Sequence, residues 1–203
     1  MNLELFMLDG SNVERAQETL AAVLETLPRC FFSAAHLCSP EAGFYSPYDI
    51  QLHDAPIIYG NRRRYNEYVI KELPKLVTVD HFMIIHRDGY PLNPEKWEDE
   101  FLKYDYIGAP WGPEPWAVGN GGFCIRSRKF ALWAAERVTN FDLNEDHVLC
   151  VEMRAEAEAA GFSFAPIETA ARFSLERDIP ELPRTLKDVF GFHGVHDRLN
   201  LLL

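Results

Sequence analysis

Apolar residues recur along the chain at two spacings, and the points where one gives way to the other predict alternating strands and helices. Residues 3–8 form a short apolar run that stops at Asp9-Gly10. Val13, Ala16, Leu20, Val23 and Leu27 then repeat at helical spacing, behind Ser11-Asn12-Val13-Glu14, which has the form of a capping box. Strand, tight turn and helix in that order open an α/β domain. Residues 30–34 predict a second strand, a loop rich in Ser, Pro, Gly and Tyr runs on to Asp54, and residues 56–59 predict a short third strand that Gly60-Asn61 ends. A helix is expected over 65–73 and a β-branched strand over 77–85. After Pro94, a further helix would carry Trp97, Phe101 and Tyr104 on one face. A strand over 123–125, helices over 127–138 and 145–160, and a last strand over 162–167 complete the pattern, with Gly161 as a helix C′ residue. No repeat, low-complexity tract or linker interrupts it. Residues 1–203 are therefore expected to form one α/β domain with a mostly parallel central sheet flanked by helices.

Composition narrows the partners. The 203 residues are 47% apolar and 25% charged, as in globular domains, and 31 acidic against 20 basic residues give a net charge of −11. Such a surface repels nucleic acid and anionic membranes. An anionic substrate would need a metal ion or a local Arg cluster. No apolar run approaches the roughly 20 residues that span a bilayer, and the opening MNLELFMLDG lacks the basic and apolar regions of a signal peptide. A cytoplasmic protein without an integral membrane segment is expected. Cys30, Cys38, Cys124 and Cys150 show no CxxC spacing and read as buried thiols.

Five segments carry candidate chemistry. His86-Arg87-Asp88 follows an apolar strand, and strand ends are where open α/β sheets bind ligands. A carboxylate there suits a hard divalent cation and diphosphate oxygens. With Asn93 the segment also fits the kinase pattern H-R-D-x-x-x-x-N, but the chain has no glycine-rich loop, V-A-I-K strand, D-F-G or A-P-E. Asn120-Gly121-Gly122-Phe123 precedes a strand and can let backbone approach a sugar or phosphate; Trp111 and Trp116 nearby could stack on a sugar ring. Glu145 and Asp146 open a helix, where the dipole favours acids for purely structural reasons, and either could act as a general base. His193, set among Phe190, Gly191, Phe192 and Gly194, suits a metal or a diphosphate. Of Arg62-Arg63-Arg64, against the helix dipole at a helix start, one, Arg64 in this reading, would face a phosphate.

The order of these segments carries a resemblance. Phe101-Leu102-Lys103-Tyr104-Asp105-Tyr106-Ile107-Gly108-Ala109-Pro110-Trp111, then Val118-Gly119-Asn120-Gly121-Gly122-Phe123-Cys124-Ile125-Arg126-Ser127-Arg128-Lys129, then Asn144-Glu145-Asp146, is similar to the glycosyltransferase-like family called domain of unknown function 5672, over roughly residues 60–195. That family resembles metal-dependent enzymes of the Rossmann-like GT-A fold. The resemblance implies that Asp88 is the last acid of an Asp-x-Asp motif binding metal and diphosphate, with His86 where the fold usually has Asp. It implies that Asn120, Gly121, Gly122 and Phe123 contact the donor sugar, that Glu145 or Asp146 is the base, and that His193 is a late metal ligand. The first strand, around Leu8 and Asp9, would hold the nucleotide base. The implied activity is inverting, hexosyltransferase-like transfer from a UDP-linked sugar to a saccharide hydroxyl, with Mn2+ or Mg2+, in polysaccharide biosynthesis. The alternatives are a non-catalytic nucleotide-sugar or saccharide-binding module of a surface-polysaccharide system, motivated by His86, and a glycoside hydrolase pairing Asp88 with Glu145 or Asp146.

Overall fold

The computed structural model describes residues 2–28, 31–40, 49–56, 60–112 and 118–194. The chain opens with β1 (Leu3–Leu8), α1 (Val13–Thr26), β2 (Ala34–Ser39) and β3 (Gln51–Asp54). Next, α2 (Arg62–Glu67) continues through a π-helical turn, Tyr68–Glu72, into α3 (Leu73–Leu76), and β4 (His81–Ile85) follows. Two 3-10 turns, Pro94–Lys96 and Asp99–Lys103, lead to β5 (Tyr106–Ile107), β6 (Ala109–Pro110), β7 (Val118–Gly119) and β8 (Phe123–Ser127). Then come α4 (Arg128–Arg137), α5 (Glu145–His147), a π turn (Val148–Glu152), α6 (Arg154–Ala159), α7 (Ile167–Phe173), β9 (Ser174–Leu175) and β10 (Gly191–Phe192).

The central sheet has six strands in the order β3-β2-β1-β4-β8-β5. Its first four strands run parallel, and β8 lies antiparallel to both β4 and β5. The expected mostly parallel sheet flanked by helices is the one found. Its continuous apolar runs follow from burial on both faces, because successive side chains of a strand point to opposite sides. Leu5, Met7, Met83, Ile85 and Ile125 pack with Ala16, Leu20 and Val23 of α1 and Phe173 of α7. Phe6, Leu8, Phe82, Ile84 and Cys124 pack on the other side, with Val69, Ile70 and, from α4, Phe130 and Ala134. Among the described residues no helix is long and apolar enough to cross a membrane.

Several boundaries differ from the sequence expectation, each for a local reason. The N-cap of α1 is Asn12, whose side-chain oxygen accepts from the Arg15 amide at 2.9 Å, whereas Ser11 belongs to the preceding turn. The second strand lies at Ala34–Ser39 and the third at Gln51–Asp54. Both carry buried or half-buried histidines, which hid them: His36 stacks on Phe6 and its Nδ1 lies 2.9 Å from His53 Nε2. Residues 57–59 of the expected third strand, and Cys30 and Trp116, lie outside the described residues. Trp97 and Phe101 do pack together, with ring centroids 5.5 Å apart, but on two 3-10 turns instead of one helix. Residues 162–167 make no strand. Ser163 and Tyr106 exchange backbone bonds with their opposite segments, Phe164 forms only an isolated bridge to Tyr106, and Pro166 then caps α7. Gly161, at φ +90°, ends the preceding helix in the left-handed region, as its position predicts.

Candidate metal centre and flanking cavities

Strand geometry gathers the site. β1 and β4 are parallel neighbours with Met7 opposite Ile85, so Asp9 and His86-Arg87-Asp88 leave the sheet at one edge. β8 runs the other way with Phe123 opposite Ile85, so the loop that enters β8 meets the loop that leaves β4, and the His86 amide donates to the Gly122 carbonyl at 3.0 Å. The C-terminal segment closes over this edge. The Asn93 side-chain Nδ2 donates to the carbonyls of Leu186 and Val189 at 2.6 and 2.7 Å, and the Gly194 backbone N–H donates to the Asp88 carbonyl at 3.0 Å. The Asn of the kinase-like pattern is thus a tether for that segment.

His86, Asp88 and His193 each offer a ligand atom, and these atoms lie within 4.8 Å of one another. His193 stands between two acids, with Nε2 3.6 Å from Asp88 Oδ1 and Nδ1 3.7 Å from Glu176 Oε1. The Tyr65 hydroxyl lies 2.6 Å from His86 Nε2. Burial pushes the His86 imidazole down to about 4, and the charge of His193 acts in the same direction, so its ring is neutral. Burial also works against a charged His193, but the nearby carboxylates of Asp88 and Glu176 outweigh it and raise the ring to about 9. Burial would raise the Asp88 carboxyl, yet His193 and His86 hold it well below the usual carboxylate range. The imidazole of His193 fills space that two glycines leave open: a Cβ on Gly122 would collide with its Nε2, and one on Gly89 would come 2.8 Å from its Cδ2. One carboxylate and two imidazoles fit a divalent cation.

A cavity of about 390 Å³ adjoins the cluster, lined by Asp9, Ser11, Arg62, Tyr65, Arg87 and Asp88 among others. Asp9 is buried, and its carboxylate accepts from the amides of Ser11 and Asn12 at 2.6 and 2.7 Å and pairs with Arg87 at 3.0 Å. It therefore fixes the turn and pins Arg87, which also bonds Ser11 Oγ. Arg62 and Arg87 set two cations in this cavity of an otherwise acidic protein. Arg64 is exposed and does not line it.

A second cavity of about 370 Å³ is lined by Trp111, Asn144, Asp146, His147, Val151, Arg177 and Glu176, the acid beside His193 Nδ1. Asp146 is half-buried there and accepts from the Gly121 amide at 2.9 Å. Glu145, by contrast, is buried and paired with buried Arg126 at 2.6 Å. Burial pushes its carboxyl up to about 7 while Arg126 pulls it down. Its Oε1 occupies the space a Cβ on Gly121 would need. Asn120 is fully buried at φ +80°, and its Oδ1 accepts from the Gly122 amide at 3.1 Å, which holds the loop in shape. Phe123 faces the core, stacked on Phe173 at 5.0 Å. Sequence reasoning missed Glu176 and Tyr65, and of the three arginines it chose Arg64 where Arg62 lines the cavity. Nothing around Glu176 in the sequence signals a site. The indole of Trp111 donates to Glu176 Oε2 at 2.7 Å, and only the fold brings the two together.

A mostly parallel six-stranded sheet with one antiparallel strand, flanked by helices, has the GT-A arrangement, and solved structures agree in fold. GlyE, a glycosyltransferase of Streptococcus pneumoniae, matches with a TM-score of 0.56 at 11% identity, over 95% of this chain and 54% of that one. Mannosyltransferase PcManGT of Pyrobaculum calidifontis, in complex with GDP-Man and Mn2+, matches at 0.54 and 8%, over 81% of this chain and 54% of that one. A glycosyltransferase involved in glycosylation of the major capsid of PBCV-1 matches at 0.51 and 13%, over 94% and 92%. At these identities the likeness is one of fold, and the chain spans about half the length of the first two proteins. The chain itself belongs to the family described as protein of unknown function (DUF5672), whose profile matches residues 49–193. No curated protein sequence matches it.

Proposed function

We propose that the protein is a Mn2+-dependent glycosyltransferase that moves a sugar from a nucleoside diphosphate to a saccharide hydroxyl, with inversion. The observation that carries this reading is the cluster of His86, Asp88 and His193 between two cavities, one bearing Arg62 and Arg87, the other bearing Asp146. In this reading Asp88 and His193 hold the ion with the neutral His86, and the ion supplies charge neutralisation at the leaving diphosphate. Arg62 and Arg87 meet the phosphates, Arg87 being held in place by Asp9. The acceptor hydroxyl enters from the second cavity and attacks the anomeric carbon as its bond to the diphosphate oxygen breaks. Asp146 takes the hydroxyl proton. Glu145 is tied up with Arg126 and acts by supporting the Gly121-Gly122 loop. UDP as the nucleotide rests on the family resemblance alone, and GDP-mannose, the ligand of the Pyrobaculum enzyme, is the second donor to test.

The test is a set of melting curves of the chelator-treated protein with UDP and GDP, each with and without Mn2+, followed by assay of donor hydrolysis. A rise in Tm that needs both nucleotide and ion is expected. Hydrolysis lost in Asp88→Ala separates an enzyme from a binding module. No shift with any nucleoside diphosphate plus Mn2+ overturns the reading.

A further inference from the structure

His193 has two ring nitrogens, and the fold sets a different acid against each. Nε2 looks to Asp88 at 3.6 Å, inside the candidate ligand cluster. Nδ1 is buried, makes no hydrogen bond, and has Glu176 Oε1 at 3.7 Å. Closing that gap to a hydrogen bond takes a movement of about half an ångström. Glu176 is itself anchored, since its other oxygen accepts from the Trp111 indole at 2.7 Å and has Arg177 at 3.7 Å. A side chain at Gly89 or Gly122 would collide with the ring, so both positions are shaped to admit it. A histidine that ligates a metal through one nitrogen usually donates its other N–H to a carboxylate, which fixes the tautomer and raises the basicity of the ligating nitrogen.

We propose that Glu176 is a positioning residue for the ion: it accepts the Nδ1–H of His193 and thereby aims the Nε2 lone pair at the cation shared with Asp88. The inference rests on the metal reading above. It adds a physical connection between the two cavities, because Glu176 and Trp111 line the acceptor side while Asp88, the other neighbour of His193, lines the donor side. Displacing the Trp111 ring would loosen Glu176, and through it the metal ligand.

The experiment is calorimetric titration of the chelator-treated protein with Mn2+ alone, for wild type, Glu176→Gln and Glu176→Ala. Glu176→Ala should weaken Mn2+ binding about 10- to 100-fold. Glu176→Gln, whose amide oxygen still accepts Nδ1–H, should fall between it and wild type. In the diamagnetic Zn2+-loaded protein, the His193 ring 15N shifts should put the proton on Nδ1. Should Glu176→Ala fail to fold, Trp111→Phe, which removes the anchoring N–H together with one ring of the indole, should still weaken Mn2+ binding severalfold. A folded Glu176→Ala, or in its place Trp111→Phe, that binds Mn2+ within twofold of wild type overturns the role of Glu176 and leaves the metal site standing, as does a proton found on Nε2. A wild-type protein that binds no Mn2+ overturns both.

Discussion

Asp146 and Glu145 are adjacent, yet their surroundings assign them different work. Asp146→Asn should leave the melting temperature close to wild type and lower kcat about 10²- to 10⁴-fold, as loss of a general base does. Glu145→Ala strands Arg126 in the core without its partner, so its effect should appear in urea unfolding as a loss of about 3–5 kcal/mol. Equal kcat losses for Glu145→Gln and Asp146→Asn in folded proteins would reverse the assignment. His193 gives a pH signature. Its folded value, about 9, lies above the unperturbed 6.5, so its stabilisation is complete below 6.5 and is lost as pH rises through 9. The shift corresponds to at most about 3 kcal/mol. Melting curves of the metal-free protein should therefore slope downward over that interval, and the slope should flatten in His193→Gln. Mn2+ affinity should rise over the same interval as the competing proton leaves.

Between elements, the loop entering β8 decides whether the site assembles. Gly122→Ala drives a methyl group into the His193 ring and should abolish Mn2+ binding measured by titration. Gly161→Ala makes a useful contrast: it sits at positive φ in open space, so about 1 kcal/mol of backbone strain should register in stability and metal binding should not change. How far such features can be read in advance depends on whether their cause is local. The helical repeat of Val13, Ala16, Leu20 and Val23, the apolar strand before His86 and the Gly121-Gly122 pair all follow from neighbouring residues. The choice of Arg62 over Arg64 does not. Consecutive helical residues diverge by about 100°, so which of three arginines faces the cavity depends on where α2 starts and which side packs on the sheet. Glu176 was illegible for the same reason on a larger scale, since its partners Trp111 and His193 come from distant segments. The strands β2 and β3 were obscured by His36 and His53, whose rings lie against one another, with His36 stacked on Phe6.

Over the whole molecule, the candidate ligands come from opposite ends of the fold. His86 and Asp88 hang from a central strand of the main sheet, whereas His193 follows β10, which pairs with β9 and bridges Pro91. The segment that carries β10 is also held by the Asn93 tether, by backbone bonds to Arg172 and to the turn after β4, and by Phe190, which is buried in the main core. An ion coordinated from both sides is then a reversible cross-link. It closes the long stretch of chain between Asp88 and His193, much as a disulfide would, and removes conformations from the opened state of the C-terminal strap. Proteolytic nicking and amide exchange within residues 176–194 should slow when Mn2+ is added, with little change in α1, and Asp88→Asn should erase the difference. Loading the ion would then double as the act that latches this strap onto the sheet.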